Sequence, residues 1–418
     1  MHPGLIGAVT VLLMTIFLAA YTVLVRPKSL AAGRCFGGLL GGALGASAYR
    51  HFSKKKVRFN RCEAPSGDHT EVVLAMQRHG AAAQISRSER RHTMAMHRRV
   101  DPELVAPLEA WSHAMHGRMN LHDIPAARRL MEDLATAQMA TARPIEGVST
   151  ADRQAPGPEG APEVFVRLYQ PTERPATLPA LLWMHGGGYV LGSVARGDVV
   201  ARHLAKVAQC VVAAVEYRLA PEDPFPAPVE DCYAALKWLA SQSAALGINT
   251  ARIAIGGASA GSGLAAGLAL LTRDRAEVDV AFQLLIYPML DDRTIAPATA
   301  TVPDTLVWTR DNNRMGWRAY LGREPGGAEV SPYAAAARAT DLHGLPPAYM
   351  AVGDLDLFVD ENITYAQRLL AAGVPTELHV YPGAFHGFNG IAPSAAISRR
   401  FNADRDQALQ RMLHREMG

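Results

Sequence analysis

The stretch Ile253-Ala254-Ile255-Gly256-Gly257-Ala258-Ser259-Ala260-Gly261, running into Leu264, Ala265, Leu268, Leu270 and Leu271, decides how this chain is read. A short apolar run breaks at a Gly-x-Ser-x-Gly turn and resumes with helical spacing. That is the layout of a nucleophile elbow, a sharp strand-to-helix turn that lifts the Ser259 hydroxyl clear of the sheet edge. The first amides of the new helix then face the reacting group. Gly257 and Gly261 supply the room, because side chains there would collide with the neighbouring strand and helix.

In a chain holding 36 Gly, this pattern alone carries little weight. A second motif, His185-Gly186-Gly187-Gly188, follows the apolar run 180–184, upstream of the elbow, where a loop that binds an oxyanion through its amides belongs. Four such residues arise by chance roughly 0.01 times per chain, so the two motifs together are not accidental.

Outward from the elbow, strand and helix patterns alternate. Candidate strands are 164–169, 180–184, 211–217, 253–256, 281–287, 348–353 and 376–381. Helices fit between most of them, which predicts an α/β architecture: a mostly parallel, twisted sheet covered by helices on both faces. The alternation lapses between 287 and 345. A segment at about 296–335 carries Trp308, Trp317 and Tyr320, candidates to line an acyl pocket within a cap or simply to pack that insertion. Ahead of the strands, Leu104, Val105, Leu108 and Trp111 read as an amphipathic helix. Pro125 then opens another with Leu130, Met131 and Leu134 on one face, either a cap over the site or plain packing. A Pro/Gly/Glu-rich linker, 154–163, closes this region.

A serine nucleophile needs a base, and the base needs an orienting acid, in the chain order Ser, Asp or Glu, His. His386 lies just past the last apolar strand run, in Tyr381-Pro382-Gly383-Ala384-Phe385-His386-Gly387-Phe388. Four carboxylates compete for the acid: Asp354, Asp356, Asp360 and Glu361. The last two stand where a helix begins, a position that helix capping explains. Asp354 and Asp356 both follow the strand 348–353, and the residues alone leave both open.

Composition bounds the rest. With 418 residues, 49% hydrophobic and 19% charged, the chain is globular. Its four cysteines are scattered without metal-ligand spacing and read as reduced structural thiols. Residues 1–49 carry 3 Lys and Arg against no acidic residue, 50–100 carry 12 against 4, and the remainder 27 against 35. An acidic body argues against a nucleic-acid partner, and the basic leader argues for a membrane-facing segment.

The uncharged run 5–25 is long enough to cross ~30 Å of hydrocarbon. A second stretch, 29–49, repeats glycine at 33, 37, 41 and 45, as closely approaching membrane helices do. The cluster Arg50, Lys54, Lys55, Lys56, Arg58, Arg61 holds that side in the cytoplasm. The expectation is a membrane-anchored chain with a cytoplasmic catalytic domain. Its alternatives are a signal peptide ending near 46–48, or a later start at Met76 or Met94 that leaves a soluble cytoplasmic protein. The organisation is then a hydrophobic leader (1–49), a basic linker (50–100), N-terminal cap helices (101–150) and a catalytic domain (151–418).

The motifs His185-Gly186-Gly187-Gly188, Tyr217-Arg218-Leu219-Ala220-Pro221-Glu222 with Phe225-Pro226-Ala227, Gly257-Ala258-Ser259-Ala260-Gly261 and Phe385-His386-Gly387-Phe388 together resemble the bacterial hormone-sensitive-lipase-like family of α/β-hydrolases. The resemblance covers roughly residues 100–415 and implies the α/β-hydrolase fold. The family's Asp-Pro-Leu-x-Asp-Glu pattern falls on 356–361, which selects Asp356 as the acid, with Leu357 in place of the common proline. Ala258 stands where many members carry Asp. The resemblance implies a serine carboxylesterase acting on short to medium acyl esters through Ser259, His386 and Asp356. The Gly186, Gly187 and Ala260 amides form its oxyanion hole, and it needs no metal or organic cofactor. It implies a small-molecule ester as substrate and leaves the oligomeric state open. The competing readings are an amidase, deacetylase or serine peptidase on the same fold, and a non-catalytic receptor, which would be expected to have lost a triad member.

Overall fold

The computed structural model describes residues 99–115, 120–141, 145–295 and 306–415. Eight strands form one sheet in the order β1-β2-β4-β3-β5-β6-β7-β8. They are β1 (Val148–Ala155), β2 (Val164–Pro171), β3 (Leu178–Met184), β4 (Val211–Glu216), β5 (Ile248–Ala258), β6 (Phe282–Ile286), β7 (Ala348–Gly353) and β8 (Thr376–Tyr381). The β1–β2 and β2–β4 pairings are antiparallel and all others parallel.

Strict alternation along the central strands divides the core between the two faces of this sheet. In β3, Ala180, Leu182 and Met184 face one core, while Leu181 and Trp183 face the other. β4 repeats the pattern, with Val211, Ala213 and Val215 opposite Val212 and Ala214. Strands apolar on both sides need helices on both sides. The first core takes α2 (Ile124–Thr141), α4 (Ala227–Ser241), α6 (Ala260–Arg275) and α8 (Val359–Ala371). The second takes α1 (Pro102–Met115), α3 (Asp198–Ala208) and α10 (Ala396–His414). Two one-turn helices complete the set, α5 (Ser243–Leu246) and α9 (Phe388–Ile391), and α7 (Arg310–Leu321) lies in the segment before β7. Cys210 and Cys232 are buried free thiols, and burial pushes the Cys210 thiol up to about 12.

Every strand read from the sequence is present: β7 and β8 have the expected ends, and the other five have shifted ones. β5 begins at Ile248 rather than 253 and carries a register irregularity against β3. The sequence reading passed over β1, and its linker 154–163 overlaps the end of that strand. β1 is an antiparallel edge strand whose residues are mostly exposed, so no apolar alternation marks it.

The expected membrane-anchored location with a cytoplasmic catalytic domain is corrected. Among the described residues no helix is long and apolar enough to cross a membrane. The helix α6, buried along most of its length in the first core, has 16 residues, short of the ~20 a span requires. The runs 5–25 and 29–49 lie outside the described residues.

Candidate active site

The elbow forms at the C-terminal end of β5. Ser259 sits between β5 and α6 at φ 57°, ψ −121°, a strained backbone held from three sides. Its amide donates to the Ile286 carbonyl at 2.9 Å, and its own carbonyl accepts from Gly263 and Met289 at 3.0 and 3.2 Å. Ser262 Oγ ties the turn to β6, donating to the Gly257 carbonyl at 2.5 Å and accepting from the Ile286 amide at 2.8 Å. A Cβ on Gly257 would come within 2.6 Å of the Met184 carbonyl oxygen, and one on Gly261 would overlap the same atom. Both glycines are therefore required by backbone approach, as the sequence pattern predicts.

His386 lies beyond β8 and Asp356 beyond β7. His386 Nε2 is 3.0 Å from Ser259 Oγ, and His386 Nδ1 is 2.8 Å from Asp356 Oδ2. Asp356 is 1% exposed and Ser259 7%, so the line of three groups runs through a nearly dry interior. The second Asp356 oxygen accepts from the Phe358 amide at 3.0 Å, which fixes the carboxylate plane. Asp354 points elsewhere: its Oδ1 accepts from the Gly383 amide at 2.6 Å, and Oδ2 faces Arg99 at 3.6 Å. Asp360 is exposed on the first turn of α8. Glu361 is buried, accepting from the Leu290 amide at 2.7 Å and from Thr294 Oγ1, and burial pushes its carboxyl well above the usual range.

The loop after β3 lies flat on the elbow. A Cβ on Gly186 would stand 2.8 Å from the Ala258 carbonyl oxygen and 3.3 Å from Ser259 Cβ. Gly187, at φ 136°, offers its carbonyl to the Val190 and Leu191 amides. Among the described residues no protein group accepts from the Gly186 or Gly187 N–H. Ala260 opens α6, so its amide belongs to the unsatisfied first turn. His185 anchors the loop from below, its ring stacked on Tyr217 at 4.3 Å while Tyr217 Oη donates to the His185 carbonyl at 2.6 Å. Arg128 of α2 grips the same region, donating to the Val190 and Ala220 carbonyls and both oxygens of Glu222.

Of the three aromatic residues expected at a pocket, the structure brings Trp308 to His386. Its ring centroid is 6.5 Å from His386, its indole lies against Gly188, and Nε1 donates to Asn313 Oδ1 at 3.2 Å. Trp317 and Tyr320 have no exposure and pack on Tyr189, with Tyr320 stacked at 4.0 Å. Sequence reasoning passed over Tyr287 and Phe358, whose rings meet the His386 imidazole edge-on at 4.9 and 5.1 Å. Tyr287 follows a strand end outside the quoted motifs, and Phe358 lies within the pattern at 356–361, which points to Asp356 and not to its neighbour.

A doubly covered, mostly parallel sheet with a serine elbow, a glycine loop and an acid-histidine pair at the C-terminal ends of its strands defines the α/β-hydrolase class. A family model described as the alpha/beta hydrolase fold matches residues 181–390. The chain is 36% identical to carboxylesterase NlhH of Mycobacterium tuberculosis, over 62% of this chain and 81% of that protein. It is 36% identical to esterase LipI of the same organism, over 70% and 89%. A solved bacterial heroin esterase superposes with a TM-score of 0.71 at 44% identity, covering 76% of this chain and 98% of that one. The chain belongs to the alpha/beta-hydrolase family, and it is a carboxylic ester hydrolase acting on small-molecule esters.

Proposed function

We propose that the chain hydrolyses short to medium acyl esters by a two-step acyl transfer to water, with Ser259 as nucleophile, His386 as base and Asp356 as orienting acid. The observation that carries this is the continuous line from Asp356 Oδ2 through His386 to Ser259 Oγ, at 2.8 and 3.0 Å. His386 Nε2 takes the Ser259 proton as Oγ bonds to the ester carbonyl carbon, and Asp356 stabilises the imidazolium. The carbonyl oxygen becomes an oxyanion, received by the Gly186, Gly187 and Ala260 amides, each worth about 3–4 kcal/mol at the transition state. The ester C–O bond breaks, and the alcohol leaves with the proton from His386. Water then attacks the acyl-serine with the same base, releasing the carboxylic acid and restoring Ser259.

Short acyl groups are favoured because the Trp308 indole occupies the space over Gly188 beside His386. Removal of acetyl groups is the second reading that this crowding supports. A methylene adds about 0.8 kcal/mol only while it stays inside a pocket, so rate should rise over the first few carbons and then fall. The test compares kcat/KM on aryl acetate, butyrate, octanoate and palmitate with detergent held constant, alongside anilide and peptide probes. A palmitate value at or above butyrate would contradict the short-chain reading, and faster anilide or peptide cleavage would make this an amidase or peptidase.

A further inference from the structure

Tyr287 follows β6 directly and adopts φ 36°, a left-handed backbone that a bulky residue rarely takes. Strain of this kind persists only where the surroundings over-determine it. Its amide donates to the Ala351 carbonyl at 2.7 Å, and Phe401 stacks on the ring at 6.0 Å. Its hydroxyl donates to Asn389 Oδ1 at 3.3 Å, and Asn389 Nδ2 in turn donates to Asn402 Oδ1 at 3.2 Å. The strained turn aims the phenol ring at His386, with an angle of 68° between the two planes. Burial pushes the phenol up to about 12, so Tyr287 is a neutral group and not a rival base.

Two hydrogen bonds at opposite ends of an imidazole fix a line but not rotation about it. His386 is bonded to Asp356 at Nδ1 and to Ser259 at Nε2, which leaves that one rotation to be fixed by packing. Tyr287 and Phe358 supply it, both meeting the imidazole edge-on. Phe358 is placed by the same turn that holds Asp356, whereas Tyr287 reaches His386 only through its unusual backbone.

We propose that Tyr287 is a positioning residue whose ring, carried on a left-handed turn, blocks tilting of the His386 imidazole about the Asp356–Ser259 line. Proton transfer from Ser259 then starts from an aligned geometry. The proposal rests on the triad reading above, and it deepens that reading by naming the group that orients the base.

The test uses the full chain with Tyr287→Phe, Tyr287→Ala and Tyr287→Gly, with Ser259→Ala as control, measuring kcat, KM on an aryl butyrate and thermal unfolding. Tyr287→Phe keeps the ring and should stay within about threefold of the parent. The Ala and Gly variants should lose about 10- to 100-fold in kcat with KM nearly unchanged, since misalignment of a base costs rate rather than binding. Gly relieves the backbone strain that Ala retains, so it should be the more stable of the two yet equally slow. Ala and Gly variants that fold and keep kcat within threefold would overturn the proposal. So would a raised KM at unchanged kcat, which would make the ring a substrate wall. Turnover by Ser259→Ala would instead overturn the triad reading beneath it.

Discussion

Asp354 and Asp356 are two residues apart in one loop, and the structure gives them different partners. Asp356 turns to His386 and is closed off from water; Asp354 turns to the Gly383 amide and Arg99, bracing the histidine loop from outside. The residues alone left the pair open because the answer depends on where a loop some 30 positions later comes to rest. Asp356→Asn should lower kcat by roughly 10⁴-fold, since the amide favours the wrong imidazole tautomer. In Asp354→Asn the remaining oxygen still accepts from Gly383, so the loss should be under about tenfold. Equal losses in two variants of native circular dichroism would reverse the assignment. His185 makes a separate prediction. Burial holds its imidazole at about 4, and among the described residues its Nε2 has no hydrogen-bond partner. The unfolded chain, with an ordinary histidine near 6.5, binds the proton first. Stability from this group is therefore full above about pH 6.5 and falls as pH drops toward 4, by at most about 3 kcal/mol. Urea unfolding of His185→Gln should show a flatter pH dependence across that window; an unchanged slope would contradict the assigned burial cost.

At the scale of elements, the elbow was the most legible part of the chain because its glycines answer to backbone contacts within a few residues and one neighbouring strand. Gly261→Ala should destabilise by about 1–3 kcal/mol and lower kcat, because its new methyl meets the Met184 and His185 carbonyls and pushes on Ser259. Gly390→Ala, where an added Cβ meets nothing within 4 Å, is the control and should be neutral or stabilising in the same urea titration. A neutral Gly261→Ala would mean the turn is looser than drawn. The apolar central strands were equally readable, since burial on both faces writes itself as continuous Val, Ile, Leu and Ala. β1 was not, because a polar edge strand is specified by its register with β2 rather than by its own composition. Trp308, Trp317 and Tyr320 looked alike in sequence; Trp317 and Tyr320 lie on α7 and pack on Tyr189, whereas Trp308, just ahead of α7, lies beside His386.

Across the whole molecule, the site is assembled from the C-terminal ends of β3, β5, β7 and β8, parallel strands that crossovers bring to one part of the sheet with β6 between β5 and β7. Ser259 and His386 are 127 residues apart in the chain and 3.0 Å apart in space. Such a separation is legible in sequence only through motif order; Tyr287 lies in no quoted motif, and the pattern at 356–361 holds Phe358 without announcing its edge contact. The most direct measurement is intact-mass and peptide mapping after reaction with a fluorophosphonate, which traps an activated serine. One adduct per chain is expected on the peptide bearing Ser259, absent in Ser259→Ala and slowed by orders of magnitude in His386→Ala. An adduct on any other residue, or esterase turnover surviving in Ser259→Ala, would contradict this expectation.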